Sequence, residues 1–258
     1  ILMYNSKIDS FQLATDLDLC SIENIDNYRE GSFILGTGEI TEKESKPYFG
    51  HETNGIKTNF RIAYNVGKSK KELLTTINSK QLGINYFQGI TQGNILQIYD
   101  YVNSLNPDFH IPLVSFMDSQ VRDLDICKDA EICTRQDFHF LNSELRSICK
   151  LVGINSNNYK SYKNGSQSFT GFQFSSREGA NAKYPFIKVY HKGFDLETNS
   201  ISFAQSFLKG QDFSKVVRTE ITMKRGFDIT NQLGSNCLSN VLNANLDKPL
   251  TTYLGKYF

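Results

Sequence analysis

An α+β fold, with a largely antiparallel sheet and helices packed on one face, is what this sequence predicts, and three observations predict it. Short stretches of alternating apolar and polar residues recur from end to end. Apolar residues at three- and four-residue spacing mark only a few segments between them. The two kinds follow each other in a mixed order, unlike the regular alternation of strand and helix in a doubly wound parallel sheet. With 258 residues, 39% of them hydrophobic, 21% charged, and 19 Phe and 13 Tyr, the chain is long enough to bury a substantial core.

The elements justify themselves in order. "NSKIDSFQLAT" (5–15) alternates as an opening strand, "DLDLCSIENIDNYREGSF" reads as loop, and "NFRIAYNV" as a second strand. "KSKKELLTTINSKQLG" (68–83) predicts a helix, as does "TQGNILQIYDYVNSLNP", where Ile95, Ile98, Val102 and Leu105 form the stripe. Thr91 is its expected N-cap, and Asn106-Pro107 its stop. A strand follows within "LVSFMDSQVRDLDICKD". A third helix starts near Thr134 with Phe138, Leu141, Leu145 and Ile148 on one face and Gly153 as C-cap. The Ser-, Asn- and Gly-rich stretch 155–179 predicts loops and a hairpin. Strands return at "FIKVYHKGF" and "VVRTEITMKR", with a helix at "ISFAQSFLKG" between them. The expected organisation is an N-terminal half, 1–106, supporting DNA binding, and a nicking half, 107–258, that carries the active face; two similar halves are an arrangement the pattern admits.

Five cysteines without a C-x-x-C pair, and four scattered histidines, predict free thiols in a reducing compartment and no zinc site. No apolar run reaches membrane-spanning length and no signal peptide is recognisable, so a cytoplasmic protein with no membrane partner is expected. Net charge is only +1, but between Tyr159 and Arg225 eleven Lys and Arg face five acids, a net of +6, which leaves −5 for the remainder. A polyanion would find its surface in the second half.

Alternation sorts three strands into faces. Ile187, Val189 and His191 share one side and Lys188, Tyr190 and Lys192 the other. Leu124 and Ile126 alternate with Asp123, Asp125 and Asp129; Val217, Ile221 and Met223 oppose Arg218, Glu220 and Lys224. If these strands are neighbours, their polar faces merge into a patch of one tyrosine, several carboxylates and several cations. Carboxylates are hard ligands for Mg2+ or Mn2+, such an ion polarises a phosphoryl oxygen, and a tyrosine can attack phosphorus to give a phosphotyrosine. The same pattern also suits half-buried packing for Tyr190 and a solvated face for the charges. His191, on the apolar side, reads as a core histidine.

Several segments resemble, in the same order, the gene II family of replication proteins from filamentous single-stranded DNA phages, related in pattern to Rep_trans-like plasmid initiators of rolling-circle replication. They are "INSKQLGINYFQG" with the following helix, "VRDLDICKD", "VYHKGFDL" and "VVRTEITMKR". The resemblance implies that Tyr190 is the nicking tyrosine and Lys192 its partner two residues on. It implies that Asp125 and Glu220 bind Mg2+ or Mn2+, with Asp129 and Asp195 as further acids, Asp195 standing where the family has Glu. Lys183, Lys188, Arg218, Lys224 and Arg225 are the candidates for holding DNA. The family's His-hydrophobe-His metal motif is absent, so the metal site would be built from acids. The implied function is a metal-dependent origin nickase and strand transferase. It would cut one strand of the double-stranded origin, stay on the 5′ phosphate of the single-stranded product, leave a 3′ hydroxyl for the host helicase and polymerase, and later rejoin the strand. A non-catalytic origin-binding control protein and a conjugative relaxase are the alternatives. Ile1 and Leu2 read as additions before Met3, and the family's length leads one to expect more chain after Phe258.

Overall fold

The computed structural model describes residues 2–3, 5–23, 32–33, 40–41, 48–105, 108–151, 156–163, 166–175 and 186–255. The first half contributes β1 (Leu2–Met3), β2 (Lys7–Asp16), β3 (Ser21–Ile22), β4 (Ser32–Phe33), β5 (Ile40–Thr41), β6 (Tyr48–Thr53), β7 (Ile56–Asn65), β8 (Lys70–Asn78), a 3-10 segment over Ser79–Gln88 and α1 (Ile95–Ser104). The second contributes β9 (Phe109–His110), α2 (Leu113–Met117), β10 (Gln120–Glu131), α3 (Arg135–Leu151), β11 (Ser156–Lys163), β12 (Ser166–Ser175), β13 (Phe186–His191), α4 (Lys192–Asn199), α5 (Ile201–Phe207), β14 (Val216–Met223), α6 (Gly226–Leu233), α7 (Leu238–Leu242) and α8 (Asp247–Leu254). The fold is α+β. One large antiparallel sheet runs β11-β12-β13-β14-β10-β2-β8-β7-β6, with β1 added to β10.

The pairing registers reveal an internal repeat. From the centre outwards, β2-β8-β7-β6 in one half mirrors β10-β14-β13-β12 in the other. Asp16 faces Glu72, which faces Ala63; in the other half Asp129 faces Arg218, which faces Tyr190. The central β2–β10 pair carries two bulges, leaving Asp9 as the extra residue on β2 and Arg122 on β10. Each bulged side chain meets a counter-charge on the other half's adjoining strand: Asp9 binds Arg218, and Arg122 binds Glu72. Charge is therefore inverted between the halves. By the same registers Ala63 stands where Tyr190 does and Leu74 where Glu220 does, so only the second half carries a phenol and an acid at these positions.

Ile8, Phe11 and Leu13 of β2, Leu124 and Ile126 of β10, and Ile221 and Met223 of β14 bury one face of the sheet under α1, α6, α7 and α8. Each such side chain contributes about 1.5–3 kcal/mol through removal from water. On the opposite, polar face, the 3-10 segment, α4 and α5 form a smaller cluster around Tyr86, Leu196, Phe203 and Leu208. Among the described residues, no helix is long and apolar enough to cross a membrane.

The structure corrects several sequence-based expectations. Residues 68–83 were expected to form a helix, but Lys70–Asn78 is strand β8, between β2 and β7. Its Lys-Glu-Leu-Leu start favours helix locally, yet Glu72, Leu73, Leu74 and Thr75 are all buried, and β-branched Thr75, Thr76 and Ile77 suit an interior strand. The N-cap of α1 is Asn94, and the Thr91 amide donates to its Oδ1 (2.8 Å). Lys192 opens α4 instead of continuing β13, because His191 caps that helix, its Nδ1 accepting from the Phe194 amide (3.0 Å). Pro107 and Gly153 lie outside the described residues, as does Lys183. The thiols of Cys20, Cys127, Cys133 and Cys237 are free.

Candidate active site

The bulge at Asp9 positions the site. Ile8 and Phe11, three residues apart, both enter the apolar core, so the two residues between them turn to the polar face. There Asp9 Oδ1 binds Arg218 (2.8 Å) and accepts from the Ser79 hydroxyl (2.6 Å), while Ser10 donates to Asp125 Oδ2 (2.6 Å). Thr222 donates to the other oxygen of Asp125. Burial alone would raise the Asp9 pKa, but Arg218, Lys192 and the two hydrogen bonds outweigh it and hold the carboxyl well below its usual range.

Arg218 is fully buried. It donates to both oxygens of Asp129 (2.7 and 2.9 Å) and to the Tyr86 hydroxyl (2.9 Å), and Lys7 adds a second cation to Asp129 at 2.6 Å. This network corrects two expectations. Arg218 holds the interior together and offers no surface to DNA; Asp129, engaged by two cations, is not an open metal ligand.

Tyr190 is 2% exposed, and its hydroxyl donates to Glu220 Oε2 at 2.9 Å. Lys188 binds the other oxygen of Glu220. Burial, and then the neighbouring Glu220, raise the phenol pKa well above its usual value. Burial also raises Glu220; Lys188 opposes the shift, and Asp125 and Asp9 add to it. The pair is thus a protonated phenol hydrogen-bonded to a carboxylate of enhanced basicity. On its far side β13 faces Gly171 of β12, where a Cβ would stand 2.1 Å from the Val189 carbonyl and 2.6 Å from the Tyr190 Cβ. Gly171→Ala is therefore expected to displace the Tyr190 backbone and reduce any activity of the phenol more than it lowers the unfolding midpoint. Parallel activity and thermal-unfolding measurements check this.

Buried Tyr190, Glu220 and Tyr86, with half-buried Asp9, form the floor of a cavity of about 560 Å3, and exposed Glu52, Lys57, Asn199 and Ser202 stand at its rim. Lys192 and Asp195 also line it, paired at 2.7 Å, with Asn199 on the second Asp195 oxygen (2.7 Å). The Lys192 ammonium lies 5.5 Å from the Tyr190 ring centre and 5.7 Å from that of Tyr86. Burial would lower its pKa, but Asp195 outweighs this and keeps it charged. Lys80 completes the lining, donating to the Ser200 hydroxyl at 2.8 Å.

Of the residues singled out in the sequence, the structure brings Tyr190, Lys192, Asp195 and Glu220 to a common cavity, with Asp125 bound to Ser10 in its lining. Sequence reasoning missed Asp9, Ser79, Lys80 and Tyr86. The expected four-acid metal set does not assemble: among the described residues no three of His, Cys, Asp or Glu converge on one point. The expected DNA-holding cations are largely paired as well, Lys188 to Glu220, Lys224 to Asp123 and Arg225 to Asp228. His191 is structural, capping α4 and packing edge-on against Phe138.

Three carboxyls, half-buried Asp9 and buried Asp129 and Asp195, have pKa values held below the usual range by their cation partners against the opposing effect of burial. The unfolded chain binds their protons first, so this stabilisation is complete above the ordinary Asp pKa of about 4 and is lost as pH falls through the lower folded values. Glu220, shifted the other way, is one group against three. Urea unfolding is expected to show stability dropping steeply below about pH 4; a flat profile contradicts this electrostatic account.

Compared with known proteins, the chain matches no family model and no curated protein. It superposes on a solved rolling circle replication initiator protein from Geobacillus stearothermophilus with a TM-score of 0.41 and 11% sequence identity, over 99% of this chain and 86% of that one. A likeness that distant assigns no chemistry, which rests on the geometry above.

Proposed function

We propose that this chain is a rolling-circle replication initiator of the nickase type, a DNA strand transferase in which Tyr190 is the nucleophile. The observation that supports this most is the Tyr190–Glu220 hydrogen bond on the floor of a cavity with Asp9 and Lys192. A buried phenol that only packs needs some hydrogen-bond acceptor, but it needs neither a carboxylate of raised pKa in that role nor a polar cavity over it. In the reaction Glu220 takes the phenolic proton, the Tyr190 oxygen bonds to phosphorus, and the bond from phosphorus to the 3′ oxygen breaks. The product is a 5′-phosphotyrosine and a free 3′ end; reversal rejoins the strand. Lys192 offsets the negative charge that develops on the phosphoryl group.

The donors suit Mg2+ or Mn2+, ions commonly held by one or two carboxylates together with substrate phosphates. Asp9 is the cavity carboxylate able to act in this way: Arg218 and Ser79 both engage it through Oδ1, leaving Oδ2 for a cation, whereas the oxygens of Glu220 are taken by Tyr190 and Lys188 and those of Asp195 by Lys192 and Asn199. When bound, the ion would polarise the phosphoryl oxygens. Asp125, held by two hydroxyls, tunes Glu220 from behind.

A purely DNA-gripping protein has no use for a basic carboxylate on a phenol, and it would show salt-sensitive binding with no covalent step. Incubation with single-stranded DNA of random sequence and Mn2+ tests the proposal. A covalent protein–DNA adduct is expected, and Glu220→Gln is expected to slow its formation by about 100-fold or more, the typical contribution of a general base. Salt-sensitive binding without an adduct would return the alternative.

A further inference from the structure

The cavity has a second wall, and one residue on it has no part in the chemistry above. Lys80 follows β8 in the 3-10 segment, lines the cavity shared by Tyr190, Glu220 and Lys192, and is held by the Ser200 hydroxyl at 2.8 Å above the Phe203 ring, 5.5 Å from its centre. Breaking a phosphodiester leaves an alkoxide on the 3′ oxygen, a poor leaving group unless a proton reaches it. Glu220 is committed to the phenol, and Lys192 is bound to Asp195 and keeps its proton.

We propose that Lys80 is the general acid of the strand transfer, giving a proton to the leaving 3′ oxygen during cleavage and taking it back from the 3′ hydroxyl during rejoining. This rests on the nickase reading and adds a second proton path to it. The step balances: the Tyr190 oxygen–phosphorus bond forms as the phosphorus–3′ oxygen bond breaks, one proton passes from Tyr190 to Glu220, and one passes from the Lys80 ammonium to the 3′ oxygen. Burial, followed by the like charge of Lys192, lowers Lys80 to about 8; Asp195 of α4 and Asp9 of β2 oppose the shift, and Lys57 of β7 adds to it. An amine with that pKa can both donate and accept near neutral pH. The two directions should therefore differ in pH dependence, cleavage falling and rejoining rising as pH passes through about 8.

The test replaces the leaving oxygen with sulfur. A single-stranded oligonucleotide that the wild-type protein cleaves, chosen from a random-sequence pool, is prepared with a normal scissile phosphodiester and with a 3′-bridging phosphorothiolate, whose thiolate leaves without a proton. Lys80→Gln is expected to slow cleavage of the oxygen ester by about 100-fold or more and to leave the sulfur ester within about threefold of wild type. Lys80→Arg, charged but unable to release a proton, is expected to behave in the same way. Equal losses on the two esters by a folded variant, no loss on the oxygen ester, or rescue by Arg each overturn the assignment. Should Lys80→Gln fail to fold, the wild-type pH profiles decide: a fall above about pH 8 for the oxygen ester alone supports the acid, and matching profiles overturn it. If no wild-type adduct forms, or Tyr190→Phe still forms one, the nickase reading fails and this proposal goes with it.

Discussion

Tyr190→Phe is expected to reduce covalent attachment to DNA below detection while leaving the fold intact. The substitution removes one oxygen atom from the cavity floor. The ring keeps its place between Gly171 on β12 and Arg218 on β14, the Lys192 ammonium stays over its face, and β13 retains its backbone pairing. What disappears is the atom that would bond to phosphorus, together with the donor to Glu220. Glu220 loses one of its two partners but keeps Lys188, so the unfolding free energy should fall by about 1–3 kcal/mol, the cost of leaving a buried acceptor oxygen without its donor. Loss of attachment with a still cooperative unfolding transition separates chemistry from stability. Attachment that persists through Tyr86, the other phenol on the floor, would move the nucleophile.

Arg218→Met is expected to have the largest effect on stability. Asp9 and Asp129 would lose their shared cation and Tyr86 its donor. Lys7 still reaches Asp129, while Asp9 keeps the Ser79 hydroxyl and the more distant charge of Lys192. Removing one partner of a buried charge network costs about 3–5 kcal/mol, because the remaining charges stay buried without compensation. Arg218→Lys, which restores the charge without the forked donor geometry, should lose less. The sign of the pH dependence follows: stranded carboxylates take up protons more easily, so the deficit of the Met variant should shrink on acidification. Urea titrations near pH 7 and pH 4.5 check both statements, and a loss below about 1 kcal/mol at neutral pH contradicts the network's role.

Face assignments by alternation were legible in the sequence. Val217, Ile221 and Met223 do oppose Arg218 and Glu220, and Leu124 and Ile126 do alternate with the aspartates, because regular strands convert spacing directly into side. Tyr190 and Glu220 could be grouped on that basis alone, whereas Lys192 reaches the same cavity from the first turn of α4. Asp9 was not legible, since a bulge is a property of two strands in register; the one local sign is that Ile8 and Phe11 are separated by three residues, which breaks the alternation. Lys80 was hidden by the helical reading of β8, where Lys-Glu-Leu-Leu outweighed the β-branched residues after it. The second half's net charge suggested a DNA-facing surface, but charge counts carry no pairing information. Arg218, Lys192 and Lys188 face inward to Asp9, Asp129, Asp195 and Glu220.

The internal repeat bears on why the buried phenol and its carboxylate partner stand in one half. The same sheet plan occurs twice, with Ala63 and Leu74 occupying the positions of Tyr190 and Glu220. What the first half contributes instead is Asp9, inserted from β2 into the other half's polar face, and Lys80 in the lining of the same cavity. The site is thus built across the β2–β10 seam, and neither half alone contains it.

The most direct measurement is to digest the protein–DNA adduct and locate the attached nucleotide by mass spectrometry. The account predicts a 5′-phosphorylated nucleotide on the peptide containing Tyr190, and on no other. A nucleotide on a different residue, or a 3′-phosphate linkage, would contradict it.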